Sequence, residues 1–263
     1  MGIVRNLGLD MDNIEIATLL PGATLFSDSN INQTWKAHVR TATNTVVVFA
    51  KIIDPREICV EAFCAILGRE LAIPIPKPFL VLADNTTLDV IPPGQHALMY
   101  GSEDADYPSF RRYADCSQAY EKLQNFKASL DVGVFDEWIA NHDRNVGNIL
   151  YDGCDDFLFI DHGLALPVGL PASEPAIDNN ILRALFSFKS ELEKFRDLRT
   201  ASQMITPMYR ALNLEDVMSS AQATMYVPDA VIAQILAFLT ERLSSIETLI
   251  RSRLCISQTD MFQ

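Results

Sequence analysis

The sequence predicts an α+β fold in which a small β-rich N-terminal lobe precedes a larger helical C-terminal lobe. The chain has 263 residues, 49% hydrophobic and 21% charged, which is enough to bury the core of one large domain or two small lobes. β-Branched apolar runs fill its first third, whereas helical spacing dominates from about Ser117. The polar, turn-rich stretch 101–108 separates the two. We therefore predict an N-terminal lobe over residues 1–100 and a C-terminal lobe over residues 101–263.

Strands are predicted in the first lobe wherever short runs combine β-branched and apolar residues. The runs TVVVFAKII, FLVLA and HALMY satisfy this condition at residues 45–53, 79–83 and 96–100. A helix is predicted over residues 58–71 from its apolar spacing. Residues 73–78 contain three prolines and are predicted to be extended, because each proline removes an amide donor.

The second lobe is predicted to be helical except for one hairpin. Apolar spacing predicts helices over residues 118–130, 132–140, 179–195 and 229–254. Asp229 follows Pro228 and is predicted to cap the last of these helices. The exception is a hairpin, in which residues 148–151 and 157–160 flank the turn sequence DGCDD.

Composition excludes several classes of function. The net charge of −13 opposes a broad nucleic-acid or anionic-membrane surface, because recognition of phosphates over an area needs clustered Lys and Arg. No apolar run approaches the ~20 residues of a membrane helix, and the N-terminus carries no signal-peptide core. We therefore expect a soluble cytoplasmic protein. Its five cysteines form no C-x-x-C pair, which favours reduced side chains over a metal site or disulfide frame.

The polar residues best suited to chemistry lie in and around the predicted hairpin. Asp143 and Asn148 share one loop, and Asp161 follows at the far end of the hairpin, which would fold it back beside Asn148. Phosphoryl transfer needs a carboxylate that orients the acceptor hydroxyl and oxygen ligands for the magnesium that bridges the phosphates. The alternative is that each motif is a polar turn, because Asp, Asn and Gly are ordinary turn residues. The two motifs together favour the phosphoryl-transfer interpretation.

Two charged residues in the first lobe also need partners. Strand alternation places Lys51 on an apolar face, where its ammonium requires an anionic partner or ligand. Glu61 borders the apolar face of the following helix, so we predict that it pairs with Lys51. Glu57 and Glu70 are alternative partners. Lys51 could instead be a strand-end lysine that reaches solvent.

The pattern D-x-x-x-x-N followed by D-x-G resembles the catalytic loop and the magnesium-binding loop of the protein-kinase superfamily. Asn141 and His142 precede Asp143, and His162 replaces the usual Phe, which argues against an ordinary eukaryotic protein kinase. The Asp143-Arg144 pair in an Asn-rich loop, together with Asp-His-Gly, is similar to the HipA-like bacterial serine/threonine kinases and, more distantly, to the phosphoinositide kinases. The resemblance implies a two-lobed protein-kinase-like fold.

The resemblance also implies roles for individual residues. Asp143 would be the catalytic base, Asn148 and Asp161 would bind Mg²⁺, and Lys51, paired with Glu61, would hold the phosphates of ATP. These expectations describe an ATP- and Mg²⁺-dependent phosphotransferase.

The same resemblance places adenine against the strand backbone around Met99 and Tyr100. No Gly-rich run precedes the strand of Lys51, and only residues 21–24 and 26–30 are predicted to form small, flexible stretches there. Ser27-Asp28-Ser29 resembles an S-x-S element that HipA-like kinases can autophosphorylate, which makes Ser27 and Ser29 candidates for modification. The alternative for this stretch is an ordinary hydrophilic loop.

The favoured hypothesis is therefore a serine/threonine kinase that acts on a protein substrate. An inhibitory partner protein is a further expectation. A small-molecule or lipid kinase of the same fold would use the same residues, and acceptor specificity would lie in helices that carry no readable motif. A catalytically silent, nucleotide-binding pseudokinase is the other alternative. The intact set of Lys51, Asp143, Asn148 and Asp161 speaks against it.

Overall fold

The observed architecture is mixed α+β, with a strand-rich N-terminal part and a helical C-terminal part, as the sequence predicts. A computed structural model of the protein describes residues 13–26, 32–187 and 189–254. The candidate phosphorylation sites Ser27 and Ser29 lie outside the described residues.

The predicted strands at residues 45–53, 79–83 and 96–100 are confirmed, and the predicted hairpin is present. Further strands precede them that the sequence did not delimit. In chain order the strands of the described residues are β1 (Glu15–Leu19), β2 (Thr24–Phe26), β3 (Thr34–Arg40), β4 (Thr45–Lys51), β5 (Pro78–Asp84), β6 (His96–Glu103), β7 (Ile149–Tyr151) and β8 (Phe157–Phe159).

Strands β1 to β6 form one sheet in the order β1-β5-β6-β4-β3-β2, and β1 also pairs with β3. The second pairing closes β1, β5, β6, β4 and β3 into a small barrel, in which Leu19 lies opposite Val39. Alternate residues point into the barrel. Its core includes Ala17, Leu19, Trp35, Ala37, Val39, Val48, Ala50, Phe79, Val81, Ala83 and Met99. Because Ala50 faces this core, its neighbour Lys51 faces outward.

The helices are α1 (Pro55–Glu70), α2 (Ser117–Asn125), α3 (Ser129–Trp138), α4 (Asn180–Phe186), α5 (Glu191–Thr200), α6 (Thr206–Ala211), α7 (Leu214–Ser220) and α8 (Asp229–Arg253). A π-helical turn, Ala201–Ile205, joins α5 to α6, and short 3-10 helices occupy Phe110–Tyr113, Val146–Asn148 and Ala223–Met225. None of the described helices combines the length and the hydropathy needed to cross a membrane.

Helix α1 is the element that joins the barrel to the helical part. It begins at Pro55 because the side chain of Asp54 accepts the N–H groups of Arg56 and Glu57, at 2.9 and 3.0 Å. It packs against β5 and β6 and also against α7. It is buried on nearly every side between Ile58 and Gly68. Charged residues in that span are therefore removed from water.

Two of the predicted helices are each divided in the structure. The prediction over residues 118–130 is wrong at its end, because the chain becomes extended at Phe126 after α2, and α3 begins at Ser129. The prediction over residues 179–195 is divided between α4 and α5. Ser190 starts α5 with a capping box, in which its side chain and that of Glu193 satisfy each other's backbone N–H groups. Local capping thus outweighs continuous apolar spacing.

Helix α8 confirms the predicted helix over residues 229–254, but the predicted cap is wrong. Pro228 occupies the N-cap position, and Asp229 is the first helical residue without a side-chain capping bond. Pro228 fixes the extended backbone that enters the helix, which leaves the carboxylate of Asp229 in the first turn.

The division of the chain into two lobes stays a prediction. Strand β6 continues through the predicted boundary at residues 100 and 101 and ends at Glu103. The chain therefore leaves the sheet after Glu103 and then reaches the 3-10 helix Phe110–Tyr113.

Candidate active site

The ammonium group of Lys51, at the end of β4, lies between two carboxylates. Its Nζ is 2.9 Å from Oε1 of Glu61 on α1 and 3.0 Å from Oδ1 of Asp161, which follows β8. The second oxygen of Glu61 accepts the backbone N–H of His162 at 2.8 Å. Glu61 therefore joins the barrel to the loop after the hairpin. The predicted pairing of Lys51 with Glu61 is present in the structure, whereas Glu57 accepts the side-chain amide of Asn32.

Burial and charge shift the pKa values of all three groups. Burial raises the pKa of Glu61 to about 7, against the opposing attraction of Lys51. Burial would lower the pKa of Lys51, but the two carboxylates outweigh it and raise that pKa. Burial would raise the pKa of Asp161, but Lys51 outweighs it and lowers that pKa. Lys51 and Asp161 thus keep their charges at neutral pH, available to a phosphate and to a cation respectively.

Asp161 is held in an uncommon backbone conformation. Its φ of 63° lies in the left-handed region, which non-glycine residues rarely adopt. Residues held in such conformations cluster at functional sites. The residue before it, Ile160, donates its N–H to the carbonyl of Asn148 at 3.1 Å and so aligns the end of the hairpin with the loop. Gly163 lies close to the side chain of Glu57, whose Oε1 would be 2.8 Å from a Cβ added at this position. A side chain at this position would have to displace that of Glu57.

Asp143 is oriented by the amide side chains around it. The Nδ2 of Asn148 donates to Oδ2 of Asp143 at 3.1 Å and to its backbone carbonyl at 2.7 Å. The Nδ2 of Asn145 donates to the other carboxylate oxygen at 3.2 Å, and Oδ1 of Asn141 accepts the N–H of Asp143. Because the side-chain NH₂ of Asn148 donates to Asp143, its Oδ1 is the atom that can bind a cation.

Arg144 is a structural residue of this site, and the sequence pattern predicts no role for it. Its guanidinium is buried and forms two bonds of 3.0 Å to the carboxylate of Asp136 on α3. It also donates to the backbone carbonyls of Asn148 and Ile160. Arg144 thus fixes both ends of the hairpin to α3. The available signal was Asp136, an acidic residue in the apolar run VGVFDEW.

A cleft of about 420 Å³ lies between the barrel and the helical part. Lys51, Asn148 and Asp161 line it, and Asp143 is joined to its wall through the bond from Asn148. The side chain of Asp161 is 37% exposed whereas that of Glu61 is fully buried. Asp161 can therefore meet a ligand, while Glu61 acts on the ligand only through Lys51.

Tyr100 lines this cleft, but Met99 does not. Met99 is buried in the barrel core, and its backbone pairs with Val81 of β5. The backbone of Tyr100 lies inside the sheet as well, between Leu80 and Lys51. The predicted contact of adenine with the strand backbone around Met99 and Tyr100 stays a prediction. The cleft wall continues along the chain from Ser102 onward.

The profile of the HipA-like kinase family matches residues 40–229 of the chain. The chain belongs to the HipA-like kinase family. Its fold is similar to the crystal structure of the Helicobacter pylori proinflammatory kinase CtkA, with a TM-score of 0.50 and 13% sequence identity. That match covers 88% of this chain and 94% of the other chain. No curated protein sequence matches the chain.

Family membership makes this HipA-like kinase a phosphotransferase. Its cleft offers the donor chemistry that a hard cation prefers, a carboxylate from Asp161 and an amide oxygen from Asn148. The described residues contain no cluster of three or more His, Cys, Asp or Glu side chains of the kind that forms a complete metal site. The pair of Asp161 and Asn148 fits Mg²⁺, which commonly takes one or two protein ligands and completes its shell with phosphate oxygens and water.

Proposed function

We propose that this HipA-like kinase transfers the γ-phosphoryl group of ATP, with Mg²⁺ bound, to a Ser or Thr hydroxyl of a protein substrate. The observation that supports the proposal is the position of Lys51, held in the cleft by Glu61 and Asp161 at 2.9 and 3.0 Å. An ammonium fixed in this way binds phosphate without reorganisation. A cytoplasmic location and an inhibitory partner protein stay predictions from the sequence.

The proposed mechanism assigns one task to each residue. Lys51 binds the phosphates of ATP, and Glu61 keeps its ammonium in place. Asp143, oriented by Asn145 and Asn148, receives the proton of the acceptor hydroxyl. Asn148 and Asp161 would hold Mg²⁺, which neutralises charge on the phosphates when it is bound.

Adenine would lie at the opposite side of the cleft from the hairpin. Tyr100 and residues 102–104 line the cleft. Phe26 and Phe49 also line the cleft, with ring centroids 5.1 Å apart in a T-shaped arrangement. Their apolar surface suits the face of a purine.

The Asp143→Ala variant tests the proposal in a phosphate-transfer assay on cell lysate with γ-labelled ATP. We expect labelling to fall about 10²- to 10⁴-fold, because the group that receives the hydroxyl proton is lost. Asp156→Ala, which removes an exposed carboxylate on the same hairpin, should label as the wild type does. Labelled bands that persist in Asp143→Ala would refute the assignment.

The chemical nature of the label separates the proposal from its alternatives. Phosphoserine or phosphothreonine in the labelled bands supports a protein kinase. Label recovered in lipids or small molecules instead supports a small-molecule or lipid kinase. No ATP turnover by the wild type supports a pseudokinase.

Autophosphorylation at Ser27 or Ser29 is a separate proposal. Phosphate there would oppose ATP binding by charge repulsion, since β2 leads directly from the cleft residue Phe26 into this stretch. Incubation with Mg-ATP is expected to add phosphate mass to the intact wild type and none to a Ser27→Ala, Ser29→Ala double variant. An unchanged wild-type mass contradicts the proposal.

A further inference from the structure

Arg111 lies on the 3-10 helix Phe110–Tyr113 and lines the cleft beside the catalytic loop. Its guanidinium lies against Gly147, where an added Cβ would be 2.5 Å from Nη2 and 3.3 Å from Cζ of Arg111. The φ of Gly147 is outside the left-handed region, so a turn conformation does not explain this glycine. A Cβ at this position would displace the guanidinium of Arg111 and would also lie 2.9 Å from Oδ1 of Asn145.

Packing holds this 3-10 helix against the loop and the hairpin. Ser109, which precedes it, donates its hydroxyl to the carbonyl of Val146, and the N–H of Tyr151 bonds to the carbonyl of Pro108 at 3.0 Å. Phe110 is fully buried among aromatic rings, including that of Tyr151 at 5.8 Å. The position of Arg111 is therefore set by the fold around the loop.

Arg111 differs in position from Arg144 and Lys51, the two cations already described at this site. Arg144, the arginine of the loop, is buried, and its donors are directed to Asp136 and to two backbone carbonyls. Lys51 reaches the cleft from the barrel, and the proposed function assigns its ammonium to the phosphates of ATP. Arg111 brings a guanidinium to the side of the cleft formed by Gly147 and Asn148, where the phosphoryl group would leave ATP for the acceptor.

Resting on the proposed function, we propose that Arg111 binds the γ-phosphoryl group during transfer and is a catalytic residue of this kinase. In that step the acceptor oxygen bonds to the γ-phosphorus while the bond from the γ-phosphorus to the bridging oxygen breaks. The hydroxyl proton passes to Asp143, and the electron pair of the broken bond stays on the β-phosphate oxygen of ADP. Arg111 donates N–H groups to the non-bridging oxygens and keeps its own proton.

Calorimetric titration with ATP and with ADP, both with Mg²⁺, tests this assignment because only ATP carries the γ-phosphate. We expect Arg111→Gln to weaken ATP binding about tenfold or more, the loss of a hydrogen bond between charged groups. Its affinity for ADP should stay within about twofold, inside the usual context dependence of such contacts. Arg111→Lys should fall between, because lysine keeps the charge but loses the planar fork. Arg111 is exposed, so both variants should fold.

Arg210→Gln removes an exposed arginine on α6 and should match the wild type for both nucleotides. The inference is overturned if Arg111→Gln binds ATP as the wild type does, if it loses ATP and ADP equally, or if only the KM for the acceptor rises. In each of those cases the proposed function still stands if the wild type transfers phosphate and Asp143→Ala does not. A wild type that neither binds ATP nor transfers phosphate would overturn both.

Discussion

Replacing Lys51 with Met is expected to lower the rate of phosphate transfer about 10²- to 10³-fold, the effect of removing one fixed charge-stabilising donor from an active site. The substitution removes the ammonium that the structure places between Glu61 and Asp161. The two carboxylates then face each other without a counter-charge, which repels the phosphates of ATP further. Met has a similar length and no charge, so it preserves the packing of β4.

Initial rates with labelled ATP and a generic protein acceptor would measure this effect. Lys77→Met is the matched control, because Lys77 precedes β5 and forms an ion pair with Glu15 on the same sheet. The control should retain wild-type rates. A Lys51→Met protein with more than about a tenth of wild-type activity would contradict the role of Lys51, since the loss would be below that of one such donor.

Replacing Glu137 with Gln is expected to reduce the free energy of unfolding by about 3–5 kcal/mol, the usual cost of breaking a buried ion pair from one side. Glu137, on α3, is fully buried and binds Nη2 of Arg242 at 3.2 Å and Nε of Arg253 at 2.8 Å, both on α8. Burial lowers the pKa of Arg242 to about 10, against the attraction of Glu137, yet the guanidinium stays charged at neutral pH. The variant leaves both arginines without their counter-charge.

Denaturant unfolding of the two proteins at neutral pH would measure the change. Glu241→Gln, at an exposed position next to Arg242 on α8, should unfold as the wild type does. A loss below about 1 kcal/mol, typical of an exposed pair, would show that the network contributes little.

The guanidinium of Arg242 also donates to the carbonyls of Ala172 and Glu174, at 3.1 and 2.6 Å. We therefore expect proteolysis of the variant to begin in this segment after the D-x-G loop.

Short-range patterns accounted for much of the fold. The strand β4, the helix α1, the hairpin of β7 and β8, and the helix α8 were all predicted, because each has a continuous apolar pattern or strong turn residues. The break at Phe126 was missed, since apolar spacing continues on both sides of it. Closure of the barrel was also beyond prediction, because pairing of β1 with β3 and β5 depends on contacts far apart in the sequence.

The candidate site, like the fold, could be predicted from the sequence only in part. Lys51 and Glu61 were predicted to pair because each is a charged residue on an apolar face, and such a residue needs a partner. Arg144 was assigned no role, since a loop arginine is usually exposed and only its burial against Asp136 reveals its part. The contact of adenine with the backbone around Met99 and Tyr100 follows from the family resemblance alone and stays a prediction, whereas strand alternation directs the side chain of Met99 into the barrel.

The sequence by itself determined the chemical groups of the candidate site, their order along the chain and the family resemblance, because these depend on residue types at short spacing. The tertiary structure decided which groups meet. Lys51 and Glu61 come from different elements and converge with Asp161 only because α1 packs between the barrel and the helical part. Arg111 reaches Gly147 only because Phe110 is buried beside the hairpin. Those contacts depend on long-range packing, and no local pattern in the sequence encodes them.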